Sequence, residues 1–181
     1  MGRPALNPLK ARWQHFRSHF WRSLAFDAVL IAVVFYAVHA WQTRELPIDQ
    51  PAPETVLALL DGSGVTSATV EGQAGIVYFF APWCFYCKSS IGNVESLLAR
   101  EQVSWATAVA LDYANTDEVQ EFIDKTGVTL PVLMGNAKTA SDWSIRGFPT
   151  YYVIDAEGRI ASRSVGYSTL AGMWLRHWLA L

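Results

Sequence analysis

Cys84 and Cys87 are the only two cysteines in this chain of 181 residues, and two residues separate them. They follow a short apolar run, 75–81, whose β-branched and aromatic residues predict a strand buried on both faces. After Cys87, apolar residues recur at spacings of three and four over 91–98, which predicts a helix. Two thiols at such a strand-to-helix junction can form and break a disulfide with each other.

The junction predicts different roles for the two thiols. Cys84 would begin the helix, where unpaired backbone N–H groups and the positive end of the helix dipole favour a thiolate. We therefore expect a lowered pKa for Cys84 as the attacking nucleophile, with the more enclosed Cys87 as the resolving thiol. The alternatives for such a pair are two small core residues, a structural disulfide, or a site for zinc or copper.

A second motif, Gly147-Phe148-Pro149-Thr150, lies well downstream and precedes an apolar strand at 151–154. An X-Pro bond can be cis at a modest energetic cost, and cis bonds occur in tight turns. From the residues alone, an ordinary surface turn is the alternative.

Together the two motifs resemble those of the thioredoxin-like protein disulfide oxidoreductases. The segment 83–88, Trp-Cys-Phe-Tyr-Cys-Lys, is similar to their active-site motif, and Phe148-Pro149-Thr150 is similar to their cis-proline turn. The resemblance implies a thioredoxin-like α/β fold, with a central mixed sheet flanked by helices. It also implies that Phe148 and Pro149 face the dithiol across a groove that binds an extended segment of a protein substrate.

Three aromatic residues beside the cysteines are further candidates for substrate binding: Trp83, Phe85 and Tyr86. Phe85 and Tyr86 replace the Gly-Pro of thioredoxin and add no charge near the sulfur atoms. They form either an apolar rim for a protein partner or simple packing over the helix end. A second departure is Tyr78, which stands where many thioredoxins bury an acid that helps to move protons. The proton-transfer residue is therefore unassigned.

The two motifs lie farther apart than in a plain thioredoxin by about one strand-plus-helix unit, as in the TlpA-like branch. The intervening sequence predicts a strand at 104–111, a helix capped by Thr116 and ended by Gly127, and a further strand from Pro131.

Within that branch, the chain is similar over nearly its whole length to membrane-anchored proteins of the ScsD type, suppressor for copper sensitivity protein D. The similarity includes segment 44–47 and the closing segment 166–178. It implies reduction or repair of periplasmic thiols under copper stress, with a membrane electron donor and no cofactor beyond the Cys84–Cys87 pair. The direction of electron flow stays open.

The N-terminal quarter indicates the compartment. Residues 1–23 carry five basic side chains and no acid, and the apolar stretch 24–41 that follows is just long enough to cross a bilayer. The charges predict a cytoplasmic tail, a single-pass anchor and a redox domain on the far side of the membrane. The resemblance to the ScsD type implies that this membrane is a bacterial inner membrane and that the redox domain is periplasmic. The alternative is a signal peptide cleaved near 38–40, which would also export the domain.

Beyond the anchor, we predict an extended, proline-containing linker at 42–53 and one thioredoxin-like domain at 54–181. Within that domain, a hairpin turn at 155–158 is predicted to join strands 151–154 and 159–164. A final helix carries an apolar stripe that is expected to face the core, with a partner surface as the alternative. The stripe consists of Leu170, Trp174, Trp178 and Leu181.

Charge and histidine placement weigh against other functions. From residue 44 onward, 9 Lys or Arg residues stand against 15 Asp or Glu residues, which disfavours nucleic-acid binding. A Cu(I)-binding chaperone module using the same two thiolates remains an alternative, as does an adaptor without enzymatic activity. A dedicated copper site would usually need a third ligand, and we expect the four histidines to be interfacial or surface residues instead. These are His15, His19, His39 and His177.

Overall fold

The computed structural model describes residues 8–180, with side chains from residue 21. The chain divides between residues 42 and 43 into two units. In the N-terminal unit, residues 8–42 belong to α1 (Pro8–Thr43). Within α1, Trp21–Thr43 is long and apolar enough to cross a membrane, and its most apolar window is not buried. This part of α1 contains the predicted anchor, 24–41.

The C-terminal unit carries a seven-stranded mixed sheet with helices against it. In chain order its elements are β1 (Val56–Leu59), β2 (Val65–Ser67), β3 (Gly75–Phe80), α2 (Phe85–Ala99), β4 (Trp105–Ala110), α3 (Thr116–Thr126), β5 (Val132–Met134), α4 (Ala137–Asp142), β6 (Thr150–Ile154), β7 (Ile160–Val165) and α5 (Leu170–Leu179). The strand order is β2-β1-β5-β4-β3-β6-β7. β3, β4 and β5 run parallel, whereas the other pairs are antiparallel.

β3 lies inside the sheet, and all six of its residues are buried, as its apolar sequence predicts. Its side chains alternate between two apolar clusters because successive residues of a strand point to opposite faces. Phe80 stacks on Phe122 of α3, with ring centroids 4.6 Å apart. On the other face, Phe79 packs against Trp143, with centroids 5.1 Å apart.

The predicted elements between the two motifs are present, with one correction. Asn115, and not Thr116, is the N-cap of α3, because its extended backbone lets Oδ1 accept the Glu118 N–H at 3.0 Å. Gly127 ends the helix with a φ of 66°, a left-handed conformation that glycine adopts easily. The strand from Pro131 corresponds to β5, and the hairpin at 155–158 joins β6 to β7.

The predicted linker, 42–53, is not a free spacer in the structure. Leu46 is buried, and the Asp49 N–H donates to the Ile160 carbonyl at 2.9 Å. The Ile160 N–H in turn donates to the Gln50 carbonyl, also at 2.9 Å. An extended, proline-rich segment beside the outer strand β7 can pair with that strand's open edge, so this segment is held to the domain by Leu46 and by its backbone at 49–52.

The terminal helix contradicts part of the predicted stripe. Leu170 packs against the core as predicted, but Trp174 and Trp178 are exposed, whereas Met173 and His177, on a neighbouring face, are buried. A helix that is apolar on every side does not show from its sequence which face will meet the core. The expectation that His177 is a surface residue is therefore wrong as well, and Leu181 lies outside the described residues.

Candidate functional site

Cys84 and Cys87 are joined in a disulfide at the beginning of α2, with their Cα atoms 5.2 Å apart. Cys84 is the N-cap, and its Sγ accepts the Cys87 backbone N–H at 3.1 Å. Cys84 is 4% exposed and Cys87 is fully buried. The structure thus puts Cys84 at the helix start and makes it the more accessible sulfur, as the sequence predicts.

The chain before the cysteines explains why the helix starts there. Pro82 has no N–H group and cannot extend the hydrogen bonding of β3. The Cys84 N–H then donates to the Ala81 carbonyl at 3.0 Å, which closes a tight turn from strand to helix. This turn brings the Cys84 sulfur to the Cys87 N–H group in the first turn of α2.

The second motif lies beside the first in space. The Phe148–Pro149 peptide bond is cis, as the resemblance implies. The Phe148 ring meets the Trp83 ring edge to face, with centroids 5.9 Å apart. Thr150 Oγ1 donates to the Gly147 carbonyl at 2.8 Å and closes the turn. Trp83 and Phe148 therefore connect the two motifs.

The three aromatic residues around the cysteines are exposed. Trp83 is 64% exposed, Phe85 is 73% exposed and Tyr86 is 58% exposed. The alternative that Phe85 and Tyr86 are packed away over the helix end does not fit these values. Together with the half-buried Phe148, these three residues form what we term the aromatic rim.

Asp112 is a residue of the site that the sequence interpretation missed. The Trp83 indole N–H donates to both the Asp112 carbonyl and its Oδ2, each at 3.1 Å. Asp112 follows β4, the parallel neighbour of β3, so the two strands end at the same edge of the sheet. The sequence signal for Asp112 was its position directly after a predicted strand, because functional loops gather at the carboxyl ends of parallel strands.

A groove of about 410 Å³ lies next to the aromatic rim. Phe148 and Asp112 line it together with Tyr113 and Asn136. The Tyr113 hydroxyl donates to the Gly135 carbonyl at 2.9 Å, which holds this wall in position. The groove thus begins at the cis-proline turn and has both apolar and polar walls.

Two buried hydroxyl groups, those of Tyr78 and Ser90, lie beneath the dithiol. Ser90 Oγ donates to the Tyr86 carbonyl at 2.7 Å, and the Tyr78 hydroxyl lies 2.8 Å from Ser90 Oγ. Since serine has one hydroxyl proton, Tyr78 is the donor to Ser90. Burial raises the pKa of Tyr78, so this hydroxyl stays neutral. We term the Tyr78 and Ser90 hydroxyl groups the buried hydroxyl chain. Nothing in the sequence around Ser90 indicates that it belongs to this hydrogen-bonded pair.

The side chains that the structure describes, from residue 21 to residue 180, contain no group of three or more His, Cys, Asp or Glu residues that could hold a metal ion. His177 is buried in α5, and its Nδ1 has no hydrogen-bond partner within the described part of the chain. Burial lowers the pKa of His177. The side chains of His15 and His19 lie outside the described set.

Comparison with known proteins agrees with this site and fold. Residues 48–163 match the AhpC/TSA family. The chain is 27% identical to the thioredoxin-like protein YneN of Bacillus subtilis, over 66% of this chain and 72% of the relative. It is 26% identical to the thiol-disulfide oxidoreductase ResA of Halalkalibacterium halodurans, over 84% of this chain and 90% of the relative.

A solved structure supports the same assignment. The thiol:disulfide interchange protein of the thioredoxin family from Chlorobium tepidum TLS superposes with a TM-score of 0.64 at 27% identity. The match covers 72% of this chain and 95% of that protein. The thioredoxin-like fold is thereby confirmed. The chain belongs to the AhpC/TSA family and is a thiol-disulfide oxidoreductase.

Proposed function

We propose that the chain is a membrane-anchored, periplasmic oxidoreductase of the ScsD type, with Cys84 as nucleophile and Cys87 as resolving thiol. The observation that carries the two roles is the hydrogen bond from the Cys87 N–H to Cys84 Sγ at the helix start. A sulfur that accepts this bond next to the positive end of α2 is favoured as a thiolate. Cys87 lies deeper and is reached only after Cys84 has reacted.

The reaction transfers two electrons and needs no other group. In the reducing direction, the Cys84 thiolate attacks one sulfur of a substrate disulfide, and the other substrate sulfur leaves as a thiolate and takes a proton. Cys87 then loses its proton and attacks Cys84 Sγ, which breaks the mixed disulfide and releases the second substrate thiolate. The enzyme ends with the Cys84–Cys87 disulfide, and the reverse steps oxidise a substrate dithiol.

Substrate binding is assigned to the aromatic rim, Pro149 and the adjoining groove. The exposed rings of Trp83, Phe85 and Tyr86 offer apolar contact without charge, which suits the apolar residues exposed by an incompletely folded protein. An extended segment beside the cis Pro149 would bring its cysteine to Cys84. The groove, which begins at Phe148, would receive neighbouring residues of that segment.

The anchor and its orientation rest on the N-terminal sequence. Trp21–Thr43 could span a membrane, and the basic residues before it favour a cytoplasmic N-terminus. The redox domain would then lie in the periplasm, where disulfides persist. As a reductant in that compartment, it would need a membrane electron donor to restore its dithiol. We assign it to the reduction of protein disulfides during copper or oxidative stress.

Trapping of the mixed disulfide tests the roles of the two cysteines. Cys87→Ser should accumulate a covalent complex with substrate in cells, visible on nonreducing gels, because the resolving thiol is gone. Cys84→Ser is the matched control and should trap nothing. Pro149→Thr should prolong the mixed disulfide of the otherwise unchanged protein. An equal yield from both cysteine variants, or none from either, would exclude the proposed mechanism.

The reduction potential of the Cys84–Cys87 pair tests the direction. We expect a value near the roughly −270 mV of thioredoxin, measured by equilibrating the full-length protein in detergent with a dithiothreitol buffer. A value near roughly −120 mV would mark a strong oxidant and refute the reducing role, while leaving the roles of the cysteines intact.

A further inference from the structure

The groove beside the cis-proline turn carries charge of one sign. Among the described residues that line it there is no Lys, Arg, His or Glu, and Asp112 is the one acid. The other walls are apolar or neutral, with Tyr113 and Asn136 as the polar side chains. A cation that enters the groove therefore meets a carboxylate and no competing positive charge.

A second cavity, which Trp83 itself lines, has a different charge pattern. It measures about 170 Å³. Its walls carry both signs of charge, with Lys88, Lys125, Glu118 and Glu121. Lys125 is already paired with Glu121. Of the two cavities next to Trp83 and Phe148, only the groove at the cis-proline turn therefore discriminates between a positive and a negative side chain.

The Asp112 carboxylate is exposed and only partly engaged. Its Oδ2 accepts the Trp83 indole N–H at 3.1 Å. No basic side chain in the described part of the chain forms an ion pair with it. The two basic residues closest in sequence to the groove walls have other partners: Lys138 pairs with Asp142, and Arg146 pairs with Glu45. Because a carboxylate accepts several hydrogen bonds, Asp112 can still bind a cation from outside the chain.

The position of Asp112 brings its carboxylate close to the dithiol. The Leu111 N–H donates to the Phe80 carbonyl at 2.9 Å, which ties the residue before Asp112 to the end of β3. Trp83, the partner of Asp112, directly precedes Cys84. An extended chain advances about 3.3 Å per residue, so a side chain about two or three residues from a substrate cysteine can reach this carboxylate.

We propose that Asp112 selects substrates that carry a Lys or Arg residue two or three positions from the reactive cysteine. This inference rests on the proposed function, in which Cys84 attacks a protein disulfide beside Pro149. The long stem of Lys or Arg suits the apolar wall at Phe148 and Ala140, while its charged end reaches the carboxylate. An acidic residue at the same place would bring two like charges together.

Exchange with synthetic peptides tests the proposal in a single turnover. Each peptide has one cysteine, blocked as a disulfide with pyridine-2-thiol, and a Lys, Gln or Glu residue two or three positions away on either side. The Cys84 thiolate of the reduced full-length protein in detergent attacks the peptide sulfur, and pyridine-2-thione leaves and is measured by its absorbance. Cys87 then loses its proton and attacks Cys84 Sγ, which releases the peptide thiolate. Each rate is divided by the rate of the same peptide with 2-mercaptoethanol, so that differences in intrinsic reactivity cancel.

We expect the Lys peptide to react about three- to tenfold faster than the Glu peptide at one of these positions, with the Gln peptide between them. High salt should weaken this preference. Asp112→Asn should remove most of it. Asp112 has a φ of 50°, which asparagine tolerates, and the amide oxygen can still accept the Trp83 N–H, so this variant removes only the charge. Glu157→Gln is the matched control and should keep the preference, because it removes the same charge from the hairpin at the other end of β6.

Equal normalised rates for the Lys and Glu peptides would overturn the role of Asp112. A preference that survives in Asp112→Asn, or that Glu157→Gln lowers to the same extent, would also overturn it, since the cause would then be the net charge of the domain. In each of these cases exchange still proceeds and the proposed function stands. If the reduced protein released pyridine-2-thione from none of the peptides, the proposed function would fail as well.

Discussion

The hydrogen bond to Cys84 predicts a large difference in reactivity between the two reduced cysteines. Two single-cysteine variants isolate them: Cys87→Ser leaves Cys84 alone, and Cys84→Ser leaves Cys87 alone. The Cys87→Ser variant keeps the backbone N–H that donates to Cys84 Sγ at 3.1 Å, so the interaction under test survives the substitution.

The magnitude follows from two contributions that favour the Cys84 thiolate. The start of a helix stabilises a negative charge by about 0.5–1 kcal/mol. A hydrogen bond to a charged group adds about 1.5–3 kcal/mol. Burial opposes both contributions, because Cys84 is only 4% exposed, but it opposes ionisation of the fully buried Cys87 more strongly. Since about 1.4 kcal/mol corresponds to a factor of ten, we expect Cys84 to react at least about tenfold faster than Cys87 at pH 7.

The assay is the rate of alkylation by iodoacetamide as a function of pH. For Cys87→Ser, the rate should reach half its maximum at a pH below the ordinary cysteine pKa of about 8.5. For Cys84→Ser, labelling should be slow throughout the neutral range. The reasoning fails if Cys87 is labelled as fast as Cys84, or if the Cys84 profile has its midpoint at or above that ordinary value.

Three further substitutions test the packing of the domain. Tyr78→Phe removes the donor to Ser90 and should lower the free energy of unfolding by about 1–2 kcal/mol in urea denaturation; an unchanged midpoint would exclude the buried hydroxyl chain. Gly75→Ala places a Cβ atom 2.3 Å from two atoms of the Trp105 ring and 2.5 Å from the Trp105 carbonyl oxygen, and it should cost about 1–3 kcal/mol. Gly92→Ala, with open space around it, should not destabilise the protein. Burial lowers the pKa of His177 below its ordinary value of 6.5, so at acidic pH the unfolded chain binds a proton more readily than the folded chain does. The contribution of this group to the free energy of unfolding is therefore fully present above pH 6.5 and is lost as the pH falls below that value. His177→Leu should flatten this dependence in thermal unfolding between pH 7 and pH 5, and an unchanged slope would assign it to other groups.

Local sequence signals were sufficient to predict β3, which leads to the dithiol, and the elements between the two redox motifs. β3 is a continuous apolar run with a proline directly after it, and α3 ends at a glycine, so neighbouring residues alone specify where these elements begin or end. The two redox motifs were also recognisable, because the spacing of Cys84 and Cys87 and the Phe148-Pro149 pair are local patterns. The N-cap of α3 was misplaced by one residue, since Asn115 and Thr116 are both good caps and only the backbone conformation distinguishes them.

The features that were missed depend on contacts between distant parts of the chain. Asp112 reaches Trp83 because β4 lies parallel to β3, and only its position directly after a predicted strand could have indicated this. The segment 43–53 has the composition of a spacer, yet the open edge of β7 gives its backbone a partner. The face of α5 that meets the core was ambiguous, since both candidate faces are apolar.

The buried hydroxyl chain bears on how the site handles protons. A neutral Tyr78 with a raised pKa cannot hold the proton that Cys87 loses, and its own proton is already donated to Ser90. Ser90 in turn donates to the Tyr86 carbonyl, so the chain ends on the backbone between the two cysteines. The proton from Cys87 must therefore leave on the open side, toward the departing substrate sulfur or solvent. The chemistry of exchange is then governed by the helix start at Cys84 and by the aromatic rim, and not by a buried acid behind the disulfide.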